Sequence, residues 1–297
     1  MKRHVLAALS IMTAGFIAGC GGGGGSDSGV TATSTTISGK VADGYLSGAE
    51  VFLDKNGNYQ WDGGEAKATT DDTGAYSMTV PAADAAKYPM VARAIAGTTK
   101  DMDYPNIPIT NSYVMSAPVG STGFISPMST LIRDKMLANP NMTLAEAMTQ
   151  LRNQMHLPAD IDMMADYVAG SQSGVHATNH QTMHTTAQQM ASLMAGQSAL
   201  VMPDGKSVSV NRYHSMMATI NANMSGIAAN VENHRDEHSP FMTTMTTTMQ
   251  SQMGAISTAS GFMNYSAMFR NMTSSRHFWN TASGTATPIT PMHGGMM

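Results

Sequence analysis

The sequence predicts a multidomain β-plus-α protein, with a small N-terminal β-sandwich followed by a C-terminal α-helical bundle. Short β-favouring runs broken by Gly, Asp and Pro occupy residues 36–119, and apolar residues recur at helical spacing across residues 120–260. The length of 297 residues fits two modest domains. Only 12% of residues are charged and the formal net charge is -4, without a downstream Lys/Arg cluster, so we expect no nucleic-acid partner.

The N-terminus has the pattern of a processed leader. A basic start precedes an apolar run at 5–17, which is long enough for a signal peptide and too short to span a bilayer. The run ends in Ile-Ala-Gly at 17–19 followed by Cys20, which resembles the bacterial lipobox. That resemblance implies a lipoprotein signal peptide at 1–19 and a lipid on Cys20, the sole cysteine of the chain.

The segment after Cys20 predicts a tether at the cell envelope. Residues 20–35 are rich in Gly, Ser and Thr, a composition typical of flexible linkers. The glycine run at 21–25 argues against a membrane-spanning helix, because polyglycine does not hold a helix. By the sorting rule of Gram-negative lipoproteins, Gly21 favours the outer membrane. We therefore expect the membrane as a partner through the lipid, with the face of the membrane and any protein partner left open.

The region at 36–119 predicts a β-sandwich. Its short segments Ser-Gly-Lys-Val at 38–41, Gly-Ala-Glu-Val at 48–51 and the run at 70–76 resemble carboxypeptidase regulatory-like and Cna-B or SdrD-B-like modules. The resemblance implies a prealbumin/Ig-like fold and a non-catalytic role as a spacer or stalk in a surface protein.

A twelve-residue loop inside this region has the spacing of a calcium site. Oxygen-bearing side chains stand at alternate positions and a glutamate ends the loop, as in sites where Ca²⁺ takes six or more oxygens. The candidate ligands are Asp54, Asn56, Asn58, Gln60, Asp62 and Glu65. Tyr59 stands where an EF-hand has glycine, and strands flank the loop, so SdrD-B-like repeats are the better comparison. The alternative is an Asn/Gly-rich hairpin whose side chains only satisfy backbone N–H groups.

Capping signals place the helices of the second region, at 120–260. Ser126-Pro127 predicts a helix start, Thr143 and Glu146 form a capping box for a helix to about His156, and Asp160 is the expected cap of a short helix through Val168. Two long helices are predicted at 175–202 and 207–238, joined by a turn at 203–205. Helical spacing places one apolar stripe on the second helix, which His234 and His238 continue at its end: Tyr213, Met217, Ile220, Met224, Ile227 and Val231.

Histidines and methionines concentrate in this region, which contains candidate copper or zinc ligands. If the two long helices form an antiparallel hairpin, His176 and His180 face His234 and His238, with His184 one turn further along. Such i, i+4 histidines can share one ion. The alternative is a set of partly exposed histidines at helix ends.

Methionine is unusually abundant, with 30 residues against 7 Phe and 2 Trp. A fourth helix from Ser239-Pro240 places Met242, Met245, Met249, Met253 and Ile256 on one face, which as geometry is a core seam that Met fills adaptably. The mostly irregular tail at 261–297 ends with Met292, His293, Met296 and Met297, where soft thioethers and imidazole suit Cu⁺.

The sequence favours a non-enzymatic lipoprotein. His234 to His238 matches the HxxEH zinc-peptidase pattern, but no Asp or Glu follows Glu237 to complete that site, and no other catalytic motif occurs. The leading hypothesis is that Met/His-rich helices bind soft or borderline metal, copper above all, for sequestration or handover. The alternative is a structural or adhesive envelope lipoprotein in which Met fills the core.

Overall fold

The computed structural model describes residues 33–256, which contain mixed β-sheets and α-helices. The β-favouring region forms strands as the sequence predicts, and one further short strand follows it. The strands are β1 (Ser34–Val41), β2 (Leu46–Ser47), β3 (Glu50–Leu53), β4 (Lys67–Thr69), β5 (Ala75–Pro81), β6 (Met90–Ala94), β7 (Lys100–Asp101), β8 (Tyr113–Ala117) and β9 (Phe124–Ile125).

Three sheets are formed by these strands. The largest has the order β4-β3-β6-β8 with antiparallel pairing throughout. A second has the order β5-β1-β9, where β1 is antiparallel to β5 and parallel to β9, and a third pairs β2 with β7. Strand β5 shows the alternation of a half-buried strand, since Tyr76, Met78 and Val80 are buried while the residues between them are exposed.

The helices within the described residues begin with one short turn inside the β region and otherwise follow β9. They are α1 (Ala82–Ala85), α2 (Pro127–Ala138), α3 (Leu144–Gln154), α4 (Tyr167–Gly170), α5 (Ala177–Ala195), α6 (Ser198–Val201), α7 (Val210–Ala222), α8 (Met224–Glu232) and α9 (Pro240–Gly254).

The side-chain caps that the sequence predicts at Ser126, Thr143 and Ser239 are confirmed, and the one at Asp160 is not. Ser126 caps α2, the Thr143 and Glu146 pair forms the capping box of α3, and Ser239 caps α9. The predicted cap at Asp160 is wrong, because the short helix begins later. Asp166 caps it by accepting a hydrogen bond from the N–H of Ala169 at 3.0 Å.

The two predicted long helices are each divided. The first is interrupted after Gly196, so that α5 and α6 replace it, and the second is split at Asn223 into α7 and α8. Asn223 donates a side-chain hydrogen bond to the carbonyl of Thr219 at 2.9 Å, which competes with continued helix. The apolar stripe predicted on the second helix is nonetheless buried along its length: Tyr213, Met217, Ile220, Met224, Ile227 and Val231.

A single hydrophobic core joins the sheets and the helices, and the described residues 33–256 belong to one compact unit. Helix α2 packs on β8, where the hydroxyl of Thr130 accepts a hydrogen bond from the N–H of Ser116 at 2.9 Å. The core therefore runs across residue 119, where the sequence places a domain boundary.

Candidate metal-binding residues

The loop at 54–65 is closed by its two terminal carboxylates. Asp54 is buried and accepts hydrogen bonds from the N–H groups of Gly57 at 2.8 Å and Asn58 at 3.2 Å. Glu65 accepts from the N–H groups of Lys55 at 2.7 Å and Asp62 at 3.0 Å. Both carboxylates are thus turned toward the interior of the loop and satisfy its backbone donors.

The middle of the loop brings polar side chains together around Asp62. The side-chain amides of Asn56 and Asn58 each donate to Oδ2 of Asp62 at 2.7 Å. The N–H of Gln60 donates to Oδ1 of Asn58 at 3.0 Å, whereas the structure gives no contact for the Gln60 side-chain amide. The amide nitrogens therefore face Asp62, while the amide oxygens of Asn56 and Asn58 accept backbone N–H groups, as in the alternative of an Asn/Gly-rich hairpin.

Tyr59 adopts a backbone conformation that the sequence did not suggest. Its φ of 62° lies in the left-handed region, which a bulky residue rarely adopts. It stands at position six of the loop, where the EF-hand has glycine for a sharp turn. The tyrosine therefore makes the same turn despite its side chain, which is buried.

The first two candidate histidines have separate surroundings. His176 occupies the N-cap position of α5, and its Nε2 lies 3.2 Å from Oδ2 of Asp160 in a solvent-exposed pair. His180 lies one turn later against α4, where its Nδ1 is buried without a hydrogen-bond partner among the described residues. A Cβ added to Gly170 would lie 2.0 Å from this nitrogen, so the glycine allows the close approach.

His184 lies on the core-facing side of α5 and has a different carboxylate partner from His176. Its Nε2 lies 2.8 Å from Oδ2 of Asp103, and its ring is 5.8 Å from that of Tyr167. The hydrogen bond with His184 lowers the pKa of Asp103 below the usual range of an aspartate. This histidine therefore joins α5 to the loop after β7.

His234 and His238 are exposed in the loop between α8 and α9, rather than on a helix. His234 has a φ of 54°, which ends the helical run. Asn230 organises this loop, since its side-chain amide donates to the carbonyls of Arg235 at 3.3 Å and Asp236 at 3.1 Å. The expected continuation of the α8 stripe through these two histidines is wrong for that reason.

The helix register also keeps the two histidine pairs apart. Helices α5 and α8 do pack together, but Gln189 donates to the carbonyl of Arg235 at 2.7 Å. His180 precedes Gln189 by nine residues, which is about 13 Å along a helix. Within the range 33–256, no group of three or more His, Cys, Asp or Glu side chains is arranged to hold a metal ion.

The methionines of the described residues belong to the core. Of 22 in this range, 17 are buried and none is exposed. They are spread over both sheets and helices, from Met78 and Met115 in strands to Met217 in α7. The predicted face of α9 is buried at four positions, Met242, Met245, Met249 and Met253.

Two titratable groups with partners distant in sequence carry no sequence signal: the partly buried His214 and the buried Asp43. Nδ1 of His214 on α7 lies 3.1 Å from Oδ1 of Asp134 on α2, and Asp43 is buried in the turn after β1. Neither residue lies in a recognisable motif, because the partners are 80 and 70 positions away in sequence. Their pairing depends on how the elements pack.

Several predicted site residues lie outside the described residues: Cys20, Met292, His293, Met296 and Met297. Among the helices that are described, none is long and apolar enough to cross a membrane. No protein-family model matches the chain, and neither a curated protein nor a solved structure is similar to it at a significant level.

Proposed function

We propose that this chain is a non-enzymatic, lipid-anchored module of the cell envelope with a structural or adhesive role, in which methionine fills the core. The observation that carries the proposal is the burial of the methionines, since 17 of the 22 in the described residues are buried and dispersed through the core. A metal-handling protein would instead be expected to gather its thioethers with imidazoles at one place.

The contacts of the histidines also favour the structural role over metal handling. His176, His184 and His238 each lie beside a different carboxylate, at distances of 3.2, 2.8 and 3.9 Å. A histidine held singly by a carboxylate can join two elements without any ion. Copper handling by the histidines and by the tail at 292–297 is therefore the alternative that an experiment must separate from the structural role.

Copper content of the purified protein separates them. The full-length chain from cells grown with added copper should contain no more copper than a variant that lacks the candidate ligands, with asparagine at His176, His180, His184, His234, His238 and His293 and leucine at Met292, Met296 and Met297. Leucine keeps nearly the volume of methionine, and each substitution is checked by the Tm of the variant. Copper bound to the wild type and reduced in this variant would contradict the proposal.

The lipid anchor has its own test. We infer from the lipobox resemblance that Cys20 is lipidated and that the chain is held at the outer membrane. A Cys20→Ala chain should lose processing at residue 20 and leave the membrane fraction. The idea fails if that chain is still cleaved there and still fractionates with membranes.

We further infer that the loop at 54–65 holds Ca²⁺ and that the β region has the sandwich architecture of the surface modules it resembles. The support is the calcium-like spacing of oxygen-bearing side chains in the loop and the burial of Asp54 and Glu65 at its two ends. Since both carboxylates accept backbone N–H groups and are not gathered as a preformed site, binding requires the loop side chains to rearrange. A bound ion would neutralise the carboxylates of the loop and stabilise its closed form.

Calcium binding predicts a higher melting temperature, because a ligand bound only by the native state stabilises it. Adding Ca²⁺ to the chelator-treated full-length chain should raise the Tm, by roughly 2–4 °C for each kcal/mol of binding. Asp62→Asn should reduce this increase and Asp72→Asn, at an exposed position outside the loop, should leave it unchanged. An equal Tm with calcium and with chelator would refute the site.

A further inference from the structure

Three carboxyl groups lie close together where the turn after β1 meets β7 and α5: Asp43 is buried, Asp101 is partly buried and Asp103 is exposed. Asp43 in this turn is 6% exposed. The hydroxyl of Tyr113 donates to its Oδ2 at 2.7 Å, while its Oδ1 is buried with no hydrogen-bond partner among the described residues. An ionised carboxylate with one bare oxygen is costly to bury, so the neutral form suits this place.

Asp101 and Asp103 come close to the same turn. Oδ1 of Asp101 lies 2.3 Å and Oδ2 of Asp103 lies 2.5 Å from the position that a Cβ would take at Gly44. The N–H of Asp103 donates to Oδ1 of Asp101 at 2.9 Å. Only glycine at position 44 leaves room for both carboxyl groups, which therefore lie beside the residue that follows Asp43.

The other polar groups near Asp43 neutralise little of the negative charge of the three carboxyl groups. On α5, Nε2 of His184 lies 2.8 Å from Oδ2 of Asp103, and Gln188 donates to the same oxygen at 2.7 Å. Tyr113 on β8 is bonded to Asp43, and the hydroxyl of Tyr167 on α4 donates to the carbonyl of Ala42 at 2.8 Å. Within the described residues, no Lys or Arg forms an ion pair with Asp43 or Asp101.

The pKa shifts of Asp43 and Asp101 agree with this close approach of carboxyl groups. Burial, followed by repulsion from Asp101, raises the pKa of Asp43 to about 8. Burial likewise raises the pKa of Asp101 to about 6. In an unfolded chain both carboxyls would titrate near their ordinary value of about 3.9.

We propose that this cluster is a pH-sensitive contact between the sheets and α5, in which the proton held by Asp43 in the native state keeps the loop after β7 docked. Loss of that proton adds a buried negative charge to those of the partly buried Asp101 and the exposed Asp103 beside it. The repulsion then weakens the pairing of β2 with β7 and the hold of Asp103 on α5.

The direction of the pH effect follows from proton counting. Above about pH 4 the native state binds more protons at Asp43 than the unfolded state does, so stability falls as pH rises. The loss continues until the pH passes the folded pKa of about 8, after which both states are ionised. The stabilisation that comes from the Asp43 proton is therefore complete only below about pH 4.

Thermal unfolding of the full-length chain between pH 5.5 and 8.5 tests the proposal. The wild-type Tm should fall by about 5 °C or more over this range. Asp43→Asn keeps the shape and accepts the Tyr113 hydrogen bond, so it should flatten this fall and unfold at a higher temperature than wild type at pH 8.5. Asp162→Asn, at an exposed carboxyl that forms no ion pair among the described residues, should keep the wild-type slope.

A second measurement uses only the wild type, so it does not depend on whether Asp43→Asn folds. In the full-length chain with ¹³C-labelled aspartate carboxyls, one carboxyl signal should titrate with a midpoint near pH 8. If every aspartate signal titrates below pH 6, or if Asp43→Asn folds and retains the wild-type slope, the proposal is overturned.

Discussion

The ring of Tyr59 packs against the ring of Tyr213, with 4.3 Å between their centroids. The first belongs to the candidate calcium loop and the second to α7, so one contact joins the loop to the helices. The guanidinium of Arg133 on α2 lies 4.8 Å from the Tyr59 ring centroid on the same side of the core. The strained turn at Tyr59 is therefore compensated by packing, as backbone strain in native proteins must be.

Replacing Tyr59 should destabilise the whole described fold. Tyr59→Ala removes a side chain that is 2% exposed, and we expect a loss of about 3–5 kcal/mol, the usual cost of truncating a buried aromatic residue. Chemical denaturation of the full-length chain measures it. Tyr104→Ala is the matched control, because Tyr104 is 67% exposed and its truncation should change stability by less than about 0.5 kcal/mol. Similar losses in both variants would contradict the contact.

The α9 methionines should behave as packing residues. Met249 is fully buried, so Met249→Ala should cost about 2–5 kcal/mol, whereas Met249→Leu should cost less than about 1.5 kcal/mol. Thr247→Ala, on the exposed face, is the control for effects on helix propensity. If leucine proved as damaging as alanine, sulfur would have a role beyond volume, and packing alone would not explain this position.

Gly170 and His180 should be energetically coupled. A Cβ at residue 170 would lie 2.0 Å from Nδ1 of His180, so Gly170→Ala should destabilise the protein by about 1–3 kcal/mol through overpacking. His180→Ala removes the obstructing ring, and in the double variant the alanine at 170 should cost much less. A double-mutant cycle from denaturation curves measures the coupling. Additive losses would show that the two residues do not meet.

Lys135 should destabilise the protein near neutral pH. Burial on α2 lowers the pKa of its ammonium group to about 8, while an unfolded lysine titrates near its ordinary value of about 10.4. Below pH 8 the native state therefore holds this charge at a cost, and stability rises as pH increases from 8 toward 10. Lys135→Met should be more stable than wild type at pH 7, with a smaller advantage at pH 10. An advantage that does not shrink would assign the effect to packing instead.

Local signals in the sequence predicted much of the fold. The cap at Ser126 and the box at Thr143 and Glu146 depend on residues three positions apart, so they are readable without knowing the tertiary structure. The buried stripe from Tyr213 to Val231 follows from helical periodicity, which survives the break at Asn223.

The arrangement of the candidate site was not predictable in the same way. Periodicity assigned His234 to a helix, but the Asn230 side chain bonds the following carbonyls and holds that segment as a loop. The register of α5 on α8 is set by polar contacts such as Gln189 with Asn230, at 3.0 Å. Counting residues from the turn at 203–205 therefore paired the wrong positions.

The central claim is that the abundant methionine and histidine pack the protein rather than bind metal. An anaerobic titration of the full-length chain with Cu⁺ against a competing chelator tests it directly. A paired variant replaces His176, His180, His184, His234, His238 and His293 with asparagine, and Met292, Met296 and Met297 with leucine. We expect the wild type to retain no copper beyond the competitor, as in this variant. Tight binding by the wild type that weakens in the variant would contradict the account and establish metal handling.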